Sequence, residues 1–165
     1  MTTYVIFDGD KDKWAYAYMK GWKVNERVEF EFQDAHDLDN MTGVASNEAY
    51  VKARLKERLQ KSKSVIVLIG ESTKNLYKYV RWEIELAIGL GLPIIAVNLN
   101  ESRVLDDNLC PAILRHQCVV HIAYKRAIIK HALDNWPIEY KGLPIETKSS
   151  GARHYGKSVY DSLGL

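Results

Sequence analysis

The sequence predicts an α/β layer fold, a parallel sheet joined by right-handed crossovers, and three observations carry that expectation. Two short β-branched apolar runs, Ser64-Val-Ile-Val-Leu-Ile-Gly70 and Pro93-Ile-Ile-Ala-Val-Asn98, read as strands buried on both faces. Between them, Tyr77 to Ile88 has helical spacing, with Val80, Ile84, Ala87 and Ile88 as its apolar stripe. Three further strand patterns alternate with helical ones, giving five strands in all. In such a sheet, ligands occupy the crevice beyond the carboxyl ends of the strands, here Phe7 to Asp12, Asp34 to Asp37, Gly70 to Thr73, and Asn98.

Taken in order, Thr3-Tyr-Val-Ile-Phe7 is the first strand and runs into the acidic loop Asp8-Gly-Asp-Lys-Asp12. Trp14, Ala15, Tyr18 and Met19 then mark a short helix. Arg27-Val-Glu-Phe-Glu-Phe32 alternates polar with apolar, as expected of an edge strand, and Gln33 to Asp37 follows it. Leu38 to Ser46 is turn-rich, and Ser46 is placed to cap a helix over Glu48 to Lys61 that turns Tyr50, Val51, Leu55 and Leu59 inward. After the central strand, helix, strand unit, Asp106 to Leu114 has room for a helical turn. Gln117 to Ile122 is the fifth strand, and Tyr124 to Trp136 is a closing helix stopped by Pro137. The expected organisation is one domain over residues 1–137, then a tail of low structural content over 138–165, where Gly142, Pro144, Gly151 and Gly156 fall.

One carboxylate stands out. Glu83 falls on the edge of the apolar stripe, and its neighbours one turn away are Tyr79, Val80, Leu86 and Ala87, so no basic residue lies at i±3 or i±4 to neutralise it. Glu85, by contrast, has Arg81 four residues before it. Helix geometry alone leaves two readings of Glu83: a half-exposed acid beside Tyr79, or a group facing the crevice.

The chain of 165 residues is the size of one domain, and 47% hydrophobic residues suffice for a full core. Its net charge of +2 and the lack of a basic stripe interleaved with aromatics argue against a nucleic-acid partner. The basic run from Lys52 to Lys63 reads as the solvated face of a helix. Cys110 and Cys118 provide no disulfide framework, and no apolar run approaches the ~20 residues of a membrane span, so a cytoplasmic protein without a membrane partner is expected. No metal site is expected either: Cys110, His116, Cys118 and His121 lack zinc-ligand spacing. Asp8, Asp10 and Asp12 lack the further Asp and Lys of a phosphorelay receiver, since Ile69-Gly-Glu-Ser72 and His121-Ile-Ala-Tyr124 occupy those places. Gly89-Leu-Gly91 follows a helix rather than a strand, so it ends that helix rather than cradling phosphate.

The strand Tyr4-Val-Ile-Phe-Asp8, the stretch Phe32-Gln-Asp-Ala35, and Ser64 to Gly70 with Tyr79-Val-Arg-Trp-Glu-Ile84 and Pro93 to Val97 together resemble the TIR (Toll/interleukin-receptor) superfamily. The resemblance is closest to the bacterial TIR-like proteins of the Thoeris antiphage type, the ThsB-like ones, and covers about residues 3–100. It implies a flavodoxin-like five-stranded parallel sheet with helices on both faces. It also implies cleavage of NAD⁺ as substrate, with no separate cofactor, at the nicotinamide–ribose bond, in some members with cyclisation of ADP-ribose into a messenger for a downstream effector. Carried over, Glu83 is the catalytic carboxylate, and Phe7, Asp8 and Asp10 are nucleotide contacts. Tyr79 stands where the family has an aromatic, usually Trp, four residues before that Glu. Self-association through the domain is implied as well.

A lone carboxylate suits this chemistry because nicotinamide leaves a cationic pyridinium as a neutral base, so no general acid is needed. Glu83 must then face the crevice or be hydrogen-bonded to stay ionised. Two other readings remain open. One is a non-enzymatic signalling module using the Asp37–Ser46 loop as an interaction surface; the other is a flavodoxin-like or receiver-like binder of a nucleotide or phosphoryl group.

Overall fold

The structure is a computed structural model that describes residues 2–26, 32–33 and 48–165. Its strands are β1 (Thr2–Ile6), β2 (Phe32–Gln33), β3 (Ser62–Ile69), β4 (Ile94–Asn98), β5 (Val120–Ala123) and β6 (Arg153–His154). Its helices are α1 (Lys13–Glu26), α2 (Glu48–Gln60), α3 (Tyr79–Gly89), α4 (Arg126–Gly142) and α5 (Lys157–Ser162). The strands form one sheet in the order β2-β1-β3-β4-β5-β6, parallel throughout. The first five strands are the expected flavodoxin-like arrangement.

Strand alternation divides the core between the two faces. Val5, Ile66, Leu68, Ile95, Val97, Val120 and Ile122 point to one side, where α1 covers them with Ala15, Tyr16 and Met19 and α4 with Ile128, Ile129, Ala132, Leu133 and Trp136. Tyr4, Ile6, Val65, Val67, Ile69, Ile94 and Ala96 point to the other, under Val51, Leu55 and Leu59 of α2 and Val80, Ile84 and Ala87 of α3. Two layers of helices leave the central strands no polar face, which is why they read as continuous apolar runs. The basic run on α2 is solvated as expected, with Lys52–Glu48, Arg54–Glu57 and Lys61–Glu57 ion pairs at 2.7, 3.0 and 3.2 Å.

The end of α3 explains Gly89-Leu-Gly91. Gly91 adopts φ +66°, its N–H donates to the Ile88 carbonyl, and the Leu92 N–H donates to the Ala87 carbonyl. That is a Schellman cap, which turns the chain directly into β4.

Two expectations differ from the structure at the C-terminal end. Pro137 does not stop the helix: it lies buried inside α4, which continues to Gly142. Trp136 and Tyr140 pack against the core on either side of it, and that packing outweighs one missing backbone hydrogen bond. Nor is 138–165 of low structural content. Arg153 and His154 pair with Val120 and His121 as a sixth strand, and Tyr160 of α5 is buried at 1% exposure in the core. The Tyr160 hydroxyl accepts the Ala123 N–H at 3.3 Å, and the Arg103 guanidinium lies 4.2 Å above its ring. A two-residue strand and a six-residue helix are shorter than any window in which periodicity is visible.

Of the expected strand Arg27 to Phe32, only Phe32 lies among the described residues, in β2. The loops Asp34 to Asp37 and Leu38 to Ser46, and Ser46 as a cap, lie outside them. Among the described residues, no helix is long and apolar enough to cross a membrane.

Candidate functional site at the carboxyl edge of the sheet

Helix α3 begins only at Tyr79, because the Lys78 backbone (φ −102°, ψ −103°) is outside the helical region. Starting there, the helix turns Val80, Glu83, Ile84 and Ala87 inward. Glu83 is 3% exposed, which excludes the half-exposed surface acid. Glu85 behaves as its spacing suggests: half-exposed, it pairs with Arg81 at 2.9 Å.

Glu83 borders a cleft of about 250 Å³. One wall is Phe7 to Asp10, from the loop after β1; the other is Asn75 to Lys78, with Tyr79 and Val80 from the start of α3. All five residues singled out in the sequence, Glu83, Phe7, Asp8, Asp10 and Tyr79, therefore meet at one opening. They do not contribute alike. The Phe7 ring stacks on Tyr16 at 4.7 Å and belongs to the core beneath α1, so the ring is committed to packing. Asp8 is buried, and its Oδ1 accepts the backbone N–H groups of Asp10 and Lys11 at 2.9 and 3.2 Å. Its carboxylate thus shapes the loop, whereas Asp10 is exposed at the rim. Tyr79 is half-buried and meets Trp82 edge-on at 5.5 Å. The Lys52 ammonium lies 4.7 Å from the Trp82 ring centroid, which ties α3 to α2, and the Lys78 ammonium lies over both rings, 5.2 Å from Tyr79 and 6.0 Å from Trp82.

Sequence reasoning missed Asn75, Leu76, Tyr77 and Lys78 as part of this wall. The signal was present: a polar and aromatic run between a strand that ends at the crevice and the helix carrying Glu83. Of Gly70 to Thr73, expected at the crevice, Gly70 and Glu71 line a neighbouring opening at the same edge of the sheet. Thr73 is buried, its hydroxyl accepting the Gly70 N–H at 2.9 Å and donating to the Leu68 carbonyl at 3.3 Å. Asn98 is buried too, its amide donating to the Ser102 and Val104 carbonyls.

A second cleft, of about 340 Å³, opens beside the first. It is lined by Lys11, Asp12, Trp14, Gly70, Glu71, Leu99, Asn100 and Leu109. Asp12 is 6% exposed, and its Oδ2 has no hydrogen-bond partner among the described residues. Its carboxylate occupies the space above Gly70, where a Cβ would come within 2.4 Å of Oδ2. Burial pushes the Asp12 carboxyl up from its ordinary range, and the negative charges of Asp8 and Glu71 add to that, against Lys11 and a hydrogen bond with the Thr73 side chain.

The cysteine and histidine set is dispersed. Cys110 lies in the core under α3, Cys118 in the core on the opposite face, and His116 is exposed. No group of three or more His, Cys, Asp or Glu side chains among the described residues is arranged to hold a metal ion.

A flavodoxin-like parallel sheet, with a carboxylate buried on the helix after its third strand and facing a cleft at the sheet's carboxyl edge, defines a TIR-like α/β domain. The model of the family described as Thoeris protein ThsB, TIR-like domain, matches residues 4–104, well over half of the sequence, and the chain belongs to that family. The matched segment contains both clefts apart from Leu109.

Proposed function

We propose that the protein is an NAD⁺-cleaving enzyme of Thoeris antiphage signalling, with Glu83 as its catalytic carboxylate. The observation that carries this reading is the placement of Glu83: almost fully buried, yet bordering an open cleft between the loop after β1 and the start of α3. A buried carboxylate with no cleft before it would be structural.

The bond that breaks joins the ribose C1′ to the pyridinium nitrogen, and its electron pair stays on that nitrogen. Nicotinamide therefore departs neutral and needs no proton. The positive charge passes to the sugar as an oxocarbenium-like centre, where an ionised Glu83 attracts it more strongly in the transition state than in the ground state. Water, or a hydroxyl of the ADP-ribose itself, then adds to C1′ and releases a proton; the second course gives a cyclic product. The Tyr79 ring, one turn before Glu83, carries the Lys78 ammonium 5.2 Å from its centroid, and its other face suits the planar nicotinamide ring. The Asp10 carboxylate at the rim suits a pyridinium cation, and Lys78 on the opposite wall suits the phosphates. NAD⁺ is thus the small-molecule partner. A downstream effector would read the nucleotide product, and self-association would complete or regulate the site.

The test follows nicotinamide and ADP-ribose-derived products by mass spectrometry, with purified protein and in phage-challenged cells that carry it. The wild type should form them and Glu83→Gln should not. Equal turnover by the two would end the assignment of Glu83.

A further inference from the structure

The geometry points to the second cleft as the seat of the adenosine half of the dinucleotide, with the Trp14 indole stacking on the purine. This inference rests on the NAD⁺ reading of the Glu83 cleft and extends it to the other end of the substrate.

Three observations lead there. The first is size. At about 250 Å³ the Glu83 cleft falls below the usual range for ligand pockets, about 300–1,000 Å³, and accommodates a nicotinamide riboside rather than two nucleosides. The neighbouring cleft supplies about 340 Å³ more.

The second is continuity. Consecutive residues of a single loop line the two openings, Phe7 to Asp10 one and Lys11 to Asp12 the other, so the loop after β1 is the wall between them. Both lie beyond the carboxyl ends of β1 and β3, where the strand order reverses, the usual ligand position in such sheets. A ligand with two nucleosides joined by a pyrophosphate would straddle this loop, and the exposed Lys11, which lines the second opening, adds a positive charge to it.

The third is chemistry. Trp14 is 48% exposed and borders the second cleft, while its ring meets Tyr124 edge-on at 5.5 Å, which braces it. A braced, half-exposed indole is a stacking platform for a base. Leu99 and Leu109 offer an apolar wall.

The experiment uses the full chain with isotope-labelled tryptophan, titrated separately with AMP and with nicotinamide mononucleotide. Indole signals are assigned through Trp14→Phe and Trp82→Phe. AMP should shift the Trp14 signal, whereas nicotinamide mononucleotide should shift that of Trp82, which adjoins Glu83 and packs on Tyr79. Trp14→Ala should weaken AMP binding about tenfold, and Trp14→Phe, which keeps an aromatic face, should retain most of the affinity. Unchanged AMP affinity in Trp14→Ala, or an AMP shift confined to Trp82, overturns the subsite. Binding of nicotinamide mononucleotide without AMP also overturns it, and leaves the Glu83 reading standing. If neither mononucleotide binds, the NAD⁺ reading falls and takes the subsite with it.

Discussion

Glu83 and His121 are both polar and almost without exposed surface, yet the protein surrounds them in opposite ways. Glu83 borders an open cleft between two loops. His121 is sealed within the sheet, paired in register with Ala96 of β4 and His154 of β6, and neither ring nitrogen has a hydrogen-bond partner among the described residues. Burial pushes its imidazole down to about 4, with nearby His154 adding to the effect, so the ring is neutral at physiological pH. A buried titratable group becomes a candidate for chemistry through access for a ligand, not through burial itself. Where access is absent, the same burial only costs stability.

Four measurements bear on this contrast. Glu83→Gln keeps size and shape while removing charge, so nicotinamide release should fall by about 10²–10³-fold with the thermal midpoint little changed. A comparable loss of stability would make Glu83 structural, like His121. Tyr160→Ala acts in the opposite sense. Removing a ring buried at 1% exposure should cost about 3–5 kcal/mol in urea denaturation, marking the end of the chain as part of the core. A midpoint equal to wild type would return 138–165 to the status of a tail.

The effect of His121 depends on pH. The unfolded chain takes up a proton near 6.5, while the folded one resists until about 4, so stability falls as pH drops through that window. The loss is about 3 kcal/mol, and His121→Leu should flatten that part of the stability–pH curve. An unchanged slope would mean that the imidazole gains a proton within the fold. Smallest of all, Glu85→Gln should change stability by no more than about 0.5 kcal/mol, since its pair with Arg81 is half-exposed. Any large effect on nicotinamide release would blur the line between the two acids of α3.

Much of this was legible in the chain. The central strands announce themselves because both their faces are covered, and Glu83 was conspicuous because nothing at helical spacing neutralised it. Lys78 and its neighbours were not legible as a wall, since the first helical residue depends on one backbone conformation at Lys78. The closing segment escaped for another reason. β6 and α5 are held by contacts with β5 and Arg103, dozens of residues away in sequence, and carry little pattern of their own.

By itself, then, the sequence determined the parallel sheet, the covering of both its faces, and the separation of Glu83 from Glu85, because period and local charge pairing act within a few residues. Only the tertiary structure decided that Glu83 opens onto a cleft while His121 does not, that Asp8 turns its carboxylate into its own loop, and that Asp12 lies over Gly70. Those outcomes depend on which loops meet at the carboxyl edge of the sheet, and that meeting is set by packing between distant segments rather than by any local preference.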